Sequence, residues 1–112
     1  MFMDFFYTSC PPCIEILPEL QTLQNKYKNC GFHIIGVSAI DTQEILERFC
    51  VKHNIDYTML LGNEDINDNY NISRFPTTYL ISKEGKILFQ HIGSYDNVTF
   101  KNLENIIQQH VE

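Results

Sequence analysis

Apolar and polar positions alternate along this chain with two different periods. Phe2 to Tyr7 is an aromatic-rich apolar run broken only by Asp4, and it predicts a β-strand over residues 2–7. From Cys13 to about Asn29 the period lengthens: Ile16, Leu20, Leu23 and Tyr27 fall at i, i+4, i+7 and i+11, one stripe of a helix. Asn29-Cys30-Gly31 supplies a stop, with glycine available for a left-handed position. "FHIIGV" at 32–37 reads as a short buried strand. Strand, helix and strand in this order predict parallel strands with a right-handed crossover.

Asp41 or Thr42 can cap the next helix, with Ile45, Leu46, Phe49 and Cys50 on one side. "YTMLL" at 57–61 predicts another strand, and "GNEDINDNYNIS" a polar loop with room for one short helix. "TTYLIS" and "KILFQHI", joined by Lys83-Glu84-Gly85, predict an antiparallel hairpin. Gly93 and Ser94 break the chain. Val98 to Val111 then reads as a closing helix with Leu103, Ile106, Ile107 and His110 on one face. The fold class is α/β, a mixed central sheet flanked by helices on both faces. No repeat, linker or low-complexity stretch divides the 112 residues, so one domain over 1–112 is expected.

Composition changes this picture little. A hydrophobic content of 44% and a charged content of 20% suit an ordinary globular chain. The formal net charge of −6, with no cluster of Lys or Arg, argues against nucleic acid and anionic membrane as partners. No apolar run is long enough to span a bilayer. "MFMDFFYTS" lacks a basic stretch and carries Asp4 in its apolar part, so it reads as a strand and not a signal peptide. A central strand beginning at residue 2 leads us to expect upstream sequence absent from this chain. The Asn-x-Ser/Thr triplets at Asn71 and Asn97 are read as chance matches in an Asn-rich chain.

The chemistry concentrates in "SCPPC", residues 9–13. With Cys10 at the end of a strand and the following residues opening a helix, Pro11 and Pro12 remove N–H donors that a first helical turn does not use. The remaining amides, Cys13's included, face the Cys10 sulfur and favour its thiolate, as does the positive end of the helix. Such placement brings a thiol pKa from about 8.5 to roughly 3.5–7.5. Cys10 is then the attacking sulfur and Cys13 the resolving one. Zinc is the competing reading, but 19 residues separate Cys30 from Cys50, no second CxxC exists, and no His pair has ligand spacing. A purely structural disulfide would restrict the unfolded chain very little.

Taken together the motifs resemble the thioredoxin superfamily, and most closely its thiol–disulfide oxidoreductase branch typified by TlpA and ResA proteins, related to the AhpC/TSA group. "DFFYTSCPPC" sits where that branch has a strand running into WCxxC. Pro18 matches its helix-kinking proline, and "YNISRFPTTYLISKEGKILFQHIG" its Pro-Thr, hairpin and closing glycine. The helix and strand at about 42–61 match the branch's insertion.

The resemblance implies catalytic Cys10 and Cys13. It makes Pro76 the cis-proline, against a trans proline entering the hairpin, and has Phe75 and Thr77 offer backbone groups to substrate. Asp4, six residues before Cys10, occupies the place of a buried acid that relays a proton; burial with a raised pKa and solvation at the chain end both stay open. Ser9 replaces the family's Trp, and the chain has no Trp.

Tyr7 stands where a peroxiredoxin needs Thr, and the CxxC spacing departs from the CxxxC of copper-delivering relatives. Cys30 and Cys50 are expected to pack as small apolar residues, with a bond between them left open. Implied partners are disulfide- or dithiol-containing proteins and an upstream redox partner. The resemblance implies no cofactor or metal, a monomer, and an extracytoplasmic site, including a role in cytochrome c maturation. The alternative function is a non-catalytic module that binds peptides along the Phe75-Pro76 edge.

Overall fold

The computed structural model describes residues 1–110. Its central strand is β1 (Phe2–Phe6), and all five of its residues are buried. Burial on both faces follows from its neighbours. β2 (Ile34–Ser38) runs parallel to β1 on one side, and β4 (Thr77–Ile81) antiparallel on the other. β3 (Thr58–Leu61) extends the sheet beyond β2 and β5 (Ile87–Ile92) beyond β4, giving the order β3-β2-β1-β4-β5. The mixed sheet and its predicted hairpin are therefore present, with strand ends displaced by a residue or two.

Side chains alternate across β1, so Phe2, Asp4 and Phe6 share one face while Met3 and Phe5 share the other. The helices are α1 (Pro11–Glu15), α2 (Leu17–Tyr27), α3 (Gln43–Lys52), α4 (Glu64–Asn69) and α5 (Asn97–His110). Phe2 packs with Leu20, Leu23 and Tyr27 of α2 and with Leu103 and Ile107 of α5. Phe6 packs with Cys13 of α1, Leu17 of α2, and Leu46 and Phe49 of α3. The Met3–Phe5 face receives Ile66 of α4 and Ile72. Among the described residues, α1, α2, α3 and α5 thus cover one face and α4 alone covers the other. An eleven-residue helix such as α2 is marginal by itself. Each buried Leu contributes about 1.5–3 kcal/mol, so docking and not propensity holds α2 in place.

The helix expected over 13–29 differs in two ways. It begins at Pro11, and it is interrupted at Ile16, which separates α1 from α2. Pro18 explains the break, because it has no N–H for the Ile14 carbonyl and its ring crowds that oxygen. The hydrophobic stripe survives the break, and Ile16, Leu20, Leu23 and Tyr27 all reach the same core. A short 3₁₀ turn (Lys28–Cys30) ends on Gly31, whose φ of 87° is the left-handed conformation that glycine permits. In α3 only Leu46 and Phe49 of the predicted face are buried; Ile45 is exposed and Cys50 half-buried. In α5 Leu103 and Ile107 are buried, His110 is exposed, and Val111 lies outside the described residues. Cys30 and Cys50 carry free thiols.

Gly36 of β2 lies between Asp4 and Met59 on the helix-rich face. A Cβ there would run into the Met59 sulfur and the Phe6 ring. The absence of a side chain lets Met59 close over the strand beside the buried acid.

Candidate active site

β1 ends at Phe6, where the Ala39 N–H donates to the Phe6 carbonyl at 2.8 Å and ties the strand's exit to β2. Three residues intervene before Cys10, where the chain turns into α1. Cys10 is the residue that caps it: its backbone is extended (φ −93°, ψ 108°), and its Sγ accepts the Cys13 N–H at 3.3 Å. Pro11 and Pro12 fill the first two helical positions, and the Ile14 N–H is taken by the Cys10 carbonyl at 3.1 Å. Cys13 therefore supplies the one amide of this turn that faces the sulfur. Cys10 and Cys13 form a disulfide with Cα atoms 5.2 Å apart. Both are buried among Phe6, Leu17, Leu46 and Phe49, but exposed Ser9 and Pro11 flank Cys10.

The Phe75–Pro76 peptide bond is cis. The Phe75 ring meets the Tyr7 ring edge-on at 5.3 Å, which sets the residue-76 turn beside the segment leading to Cys10. The Gly93 N–H donates to the Pro76 carbonyl at 2.8 Å, and Thr77 Oγ1 donates to the Arg74 carbonyl at 2.6 Å. Thr77 is buried, with β1 on one side and β5 on the other. Phe75, half-buried ahead of the strand, is the residue with surface to offer.

Asp4 is fully buried, which removes the solvated alternative left open by its place near the chain start. Strands on both sides and helices above close it off. Neither carboxyl oxygen has a hydrogen-bond partner among the described residues, and desolvation pushes its pKa up to about 7. Burial, and secondarily the Asp4 charge, pushes the phenol of Tyr57 well above the usual tyrosine value. Tyr95 is raised by burial first and is then opposed by its bond to Thr78. Among the described residues no three His, Cys, Asp or Glu side chains converge on a metal position.

The AhpC/TSA family model matches residues 2–90, which takes in β1, the CxxC, the cis-proline turn and most of the hairpin. The chain belongs to the AhpC/TSA family. Within this family it is 32% identical over 94 residues to the thiol–disulfide oxidoreductase ResA of Halalkalibacterium halodurans, an alignment covering 83% of this chain and 53% of that protein. The chain thus spans about half the length of this curated relative. A Chlorobium tepidum structure described as a candidate DsbE thiol:disulfide interchange protein superposes with a TM-score of 0.88 at 26% identity, over 97% of this chain and 77% of that one. A thiol–disulfide oxidoreductase from Bacteroides fragilis gives 0.77 at 28% identity, over 94% and 79%. The fold is thioredoxin-like.

In this AhpC/TSA chain one site residue escaped the sequence reading, which took Asp41 only as an alternative to Thr42 for capping a helix. Thr42 performs that task alone, its Oγ1 accepting the Ile45 N–H. The Asp41 carboxylate turns instead toward the segment before Cys10, accepting the Thr8 N–H at 2.9 Å and Thr8 Oγ1–H at 2.8 Å. Two consecutive residues competent to cap, where one suffices, were the only local signal.

Proposed function

We propose that this chain is a thiol–disulfide oxidoreductase that exchanges its Cys10–Cys13 pair with protein partners. The observation that carries the reading is the Cys10 sulfur at the start of α1, facing the Cys13 amide and bonded to a buried Cys13. In the dithiol form the Cys10 thiolate attacks one sulfur of a partner disulfide. A mixed disulfide forms and the partner's second sulfur leaves as a thiolate. Cys13 then loses its proton and displaces the partner from Cys10. Two electrons have passed to the partner, which ends as a dithiol, and the Cys10–Cys13 bond is restored. The reverse course oxidises a dithiol.

Asp4 suits the proton step because a carboxyl with a pKa near 7 exchanges protons at neutral pH. Phe75 offers its backbone to the partner chain beside the sulfur, while Pro76 and Thr77 hold that turn. Potentials in such proteins run from about −270 to −120 mV, so modest changes in thiolate stabilisation set the direction of flow. The family's disulfide- or dithiol-containing partners and an upstream redox partner complete the cycle.

Titration of the pair against glutathione tests the reading, together with Cys13→Ser, which should accumulate mixed disulfides, and Cys10→Ser, which should not. Peptide binding that survives Cys10→Ser, with no exchange in the unaltered protein, would replace it by a non-catalytic binding module.

A further inference from the structure

The segment Tyr7–Ser9 joins the central strand to the sulfur-bearing turn, and both of its hydrogen bonds to another element end on Asp41. Asp41 is itself fixed from behind. Ser38 Oγ–H, from the buried last residue of β2, donates to Asp41 Oδ2 at 2.6 Å, and Thr42 next to Asp41 caps α3. The carboxylate thus carries three donors, two from the segment leading to Cys10 and one from the last residue of β2. Charge-assisted bonds of this kind are the stronger ones.

The reason such an anchor matters lies in the two prolines. Pro11 and Pro12 carry no N–H, and the Ile14 N–H is committed to the Cys10 carbonyl, so one amide, that of Cys13, addresses the sulfur. In the disulfide form the covalent bond holds the sulfur there regardless. Once the bond opens, only the backbone on the Cys10 side keeps the sulfur over that amide.

We propose that Asp41 is a positioning residue for Cys10, its carboxylate holding Tyr7–Ser9 so that the Cys10 sulfur stays over the Cys13 amide in the dithiol form. This rests on the oxidoreductase reading above. Because the anchor is redundant with the covalent bond in the disulfide form, its loss weakens the dithiol form selectively. The pair then becomes more reducing.

Thr8→Val tests this at constant charge, removing the Oγ1 bond while keeping the side-chain shape. Equilibrium with glutathione should move about tenfold toward the disulfide, about 30 mV more negative. The pH midpoint for alkylation of Cys10 should move upward. Thr8→Ser, which keeps the hydroxyl, should restore both, a recovery that a general packing defect would not produce. In an Asp41→Ala background Thr8→Val should cause no further shift. If Thr8→Val does not fold, Ser38→Ala, which removes the scaffold-side donor, should move the potential the same way by less.

An unchanged potential in Thr8→Val, or in Ser38→Ala where that variant is used, overturns the proposal, as does an equal shift with and without Asp41. In either case exchange by the unaltered protein leaves the oxidoreductase reading standing. A wild-type pair that does not exchange with glutathione overturns both.

Discussion

Asp4 and Thr78 face each other across the β1–β4 ladder, and only one of them is satisfied. Thr78 Oγ1 is bonded to the Tyr95 hydroxyl and to the His91 carbonyl, whereas both carboxyl oxygens of Asp4 lack partners among the described residues. An isolated buried carboxylate is costly, so the folded protein holds this group protonated up to about pH 7. The unfolded chain releases that proton near pH 4. Between the two values the native state binds the extra proton, so stability falls as pH rises.

The Asp4 contribution is fully present below about pH 4, is lost progressively up to about pH 7, and then levels off. About three units correspond to a loss on the order of 4 kcal/mol. Asp4→Asn should therefore be more stable than the wild type at pH 8 and nearly equal to it at pH 4. Urea midpoints of both proteins across that range decide the matter, and parallel curves would remove the buried-acid account.

Pro12 occupies a position from which an N–H could reach the capping sulfur. Pro12→Ala supplies that donor. A hydrogen bond to a charged acceptor is worth about 1.5–3 kcal/mol. The expected change is therefore a potential about 30–60 mV less negative, since 1.4 kcal/mol corresponds to about 30 mV. Proline loss also loosens the unfolded chain. The potential is for that reason the measurement to make, and a potential that stays put or becomes more negative contradicts the single-amide picture.

Thr42 offers a control away from the sulfur chemistry. Its hydroxyl accepts the Ile45 N–H at the start of α3. Thr42→Ala should cost about 1 kcal/mol in equilibrium unfolding. Glutathione equilibrium should remain as in the wild type, which separates capping by Thr42 from anchoring by Asp41.

Leu103 tests how the last helix is held. It is fully buried against Phe2, Leu20 and Ile34. Leu103→Ala should lower stability by about 2–5 kcal/mol, read from denaturant midpoints with the slope unchanged. A loss under 1 kcal/mol would mean that α5 docks through other residues.

The sulfur chemistry was legible in the sequence because its causes are local: two cysteines, two prolines and a strand-to-helix change lie within a few residues. The α2 stripe was legible for the same reason, and it ran straight through the interruption at Ile16, so periodicity alone could not reveal the break that Pro18 imposes. Asp4 was ambiguous because its burial depends on β2 and β4, which arrive from residues 34 and 77. Asp41 was hidden for a related reason. Its partner Thr8 lies 33 residues away, and beside Thr42 it looked like half of a helix cap.

Cys10 is at once a reactant and the group that completes the start of α1. Opening or closing its bond with Cys13 alters what satisfies that helix end, so electron transfer and folding share a thermodynamic cycle. The stability gap between the two redox forms must equal the difference between the pair's potential in the native chain and in the denatured one. A denaturant melt of each form thus weighs, without any partner protein, how strongly the fold biases the flow of electrons.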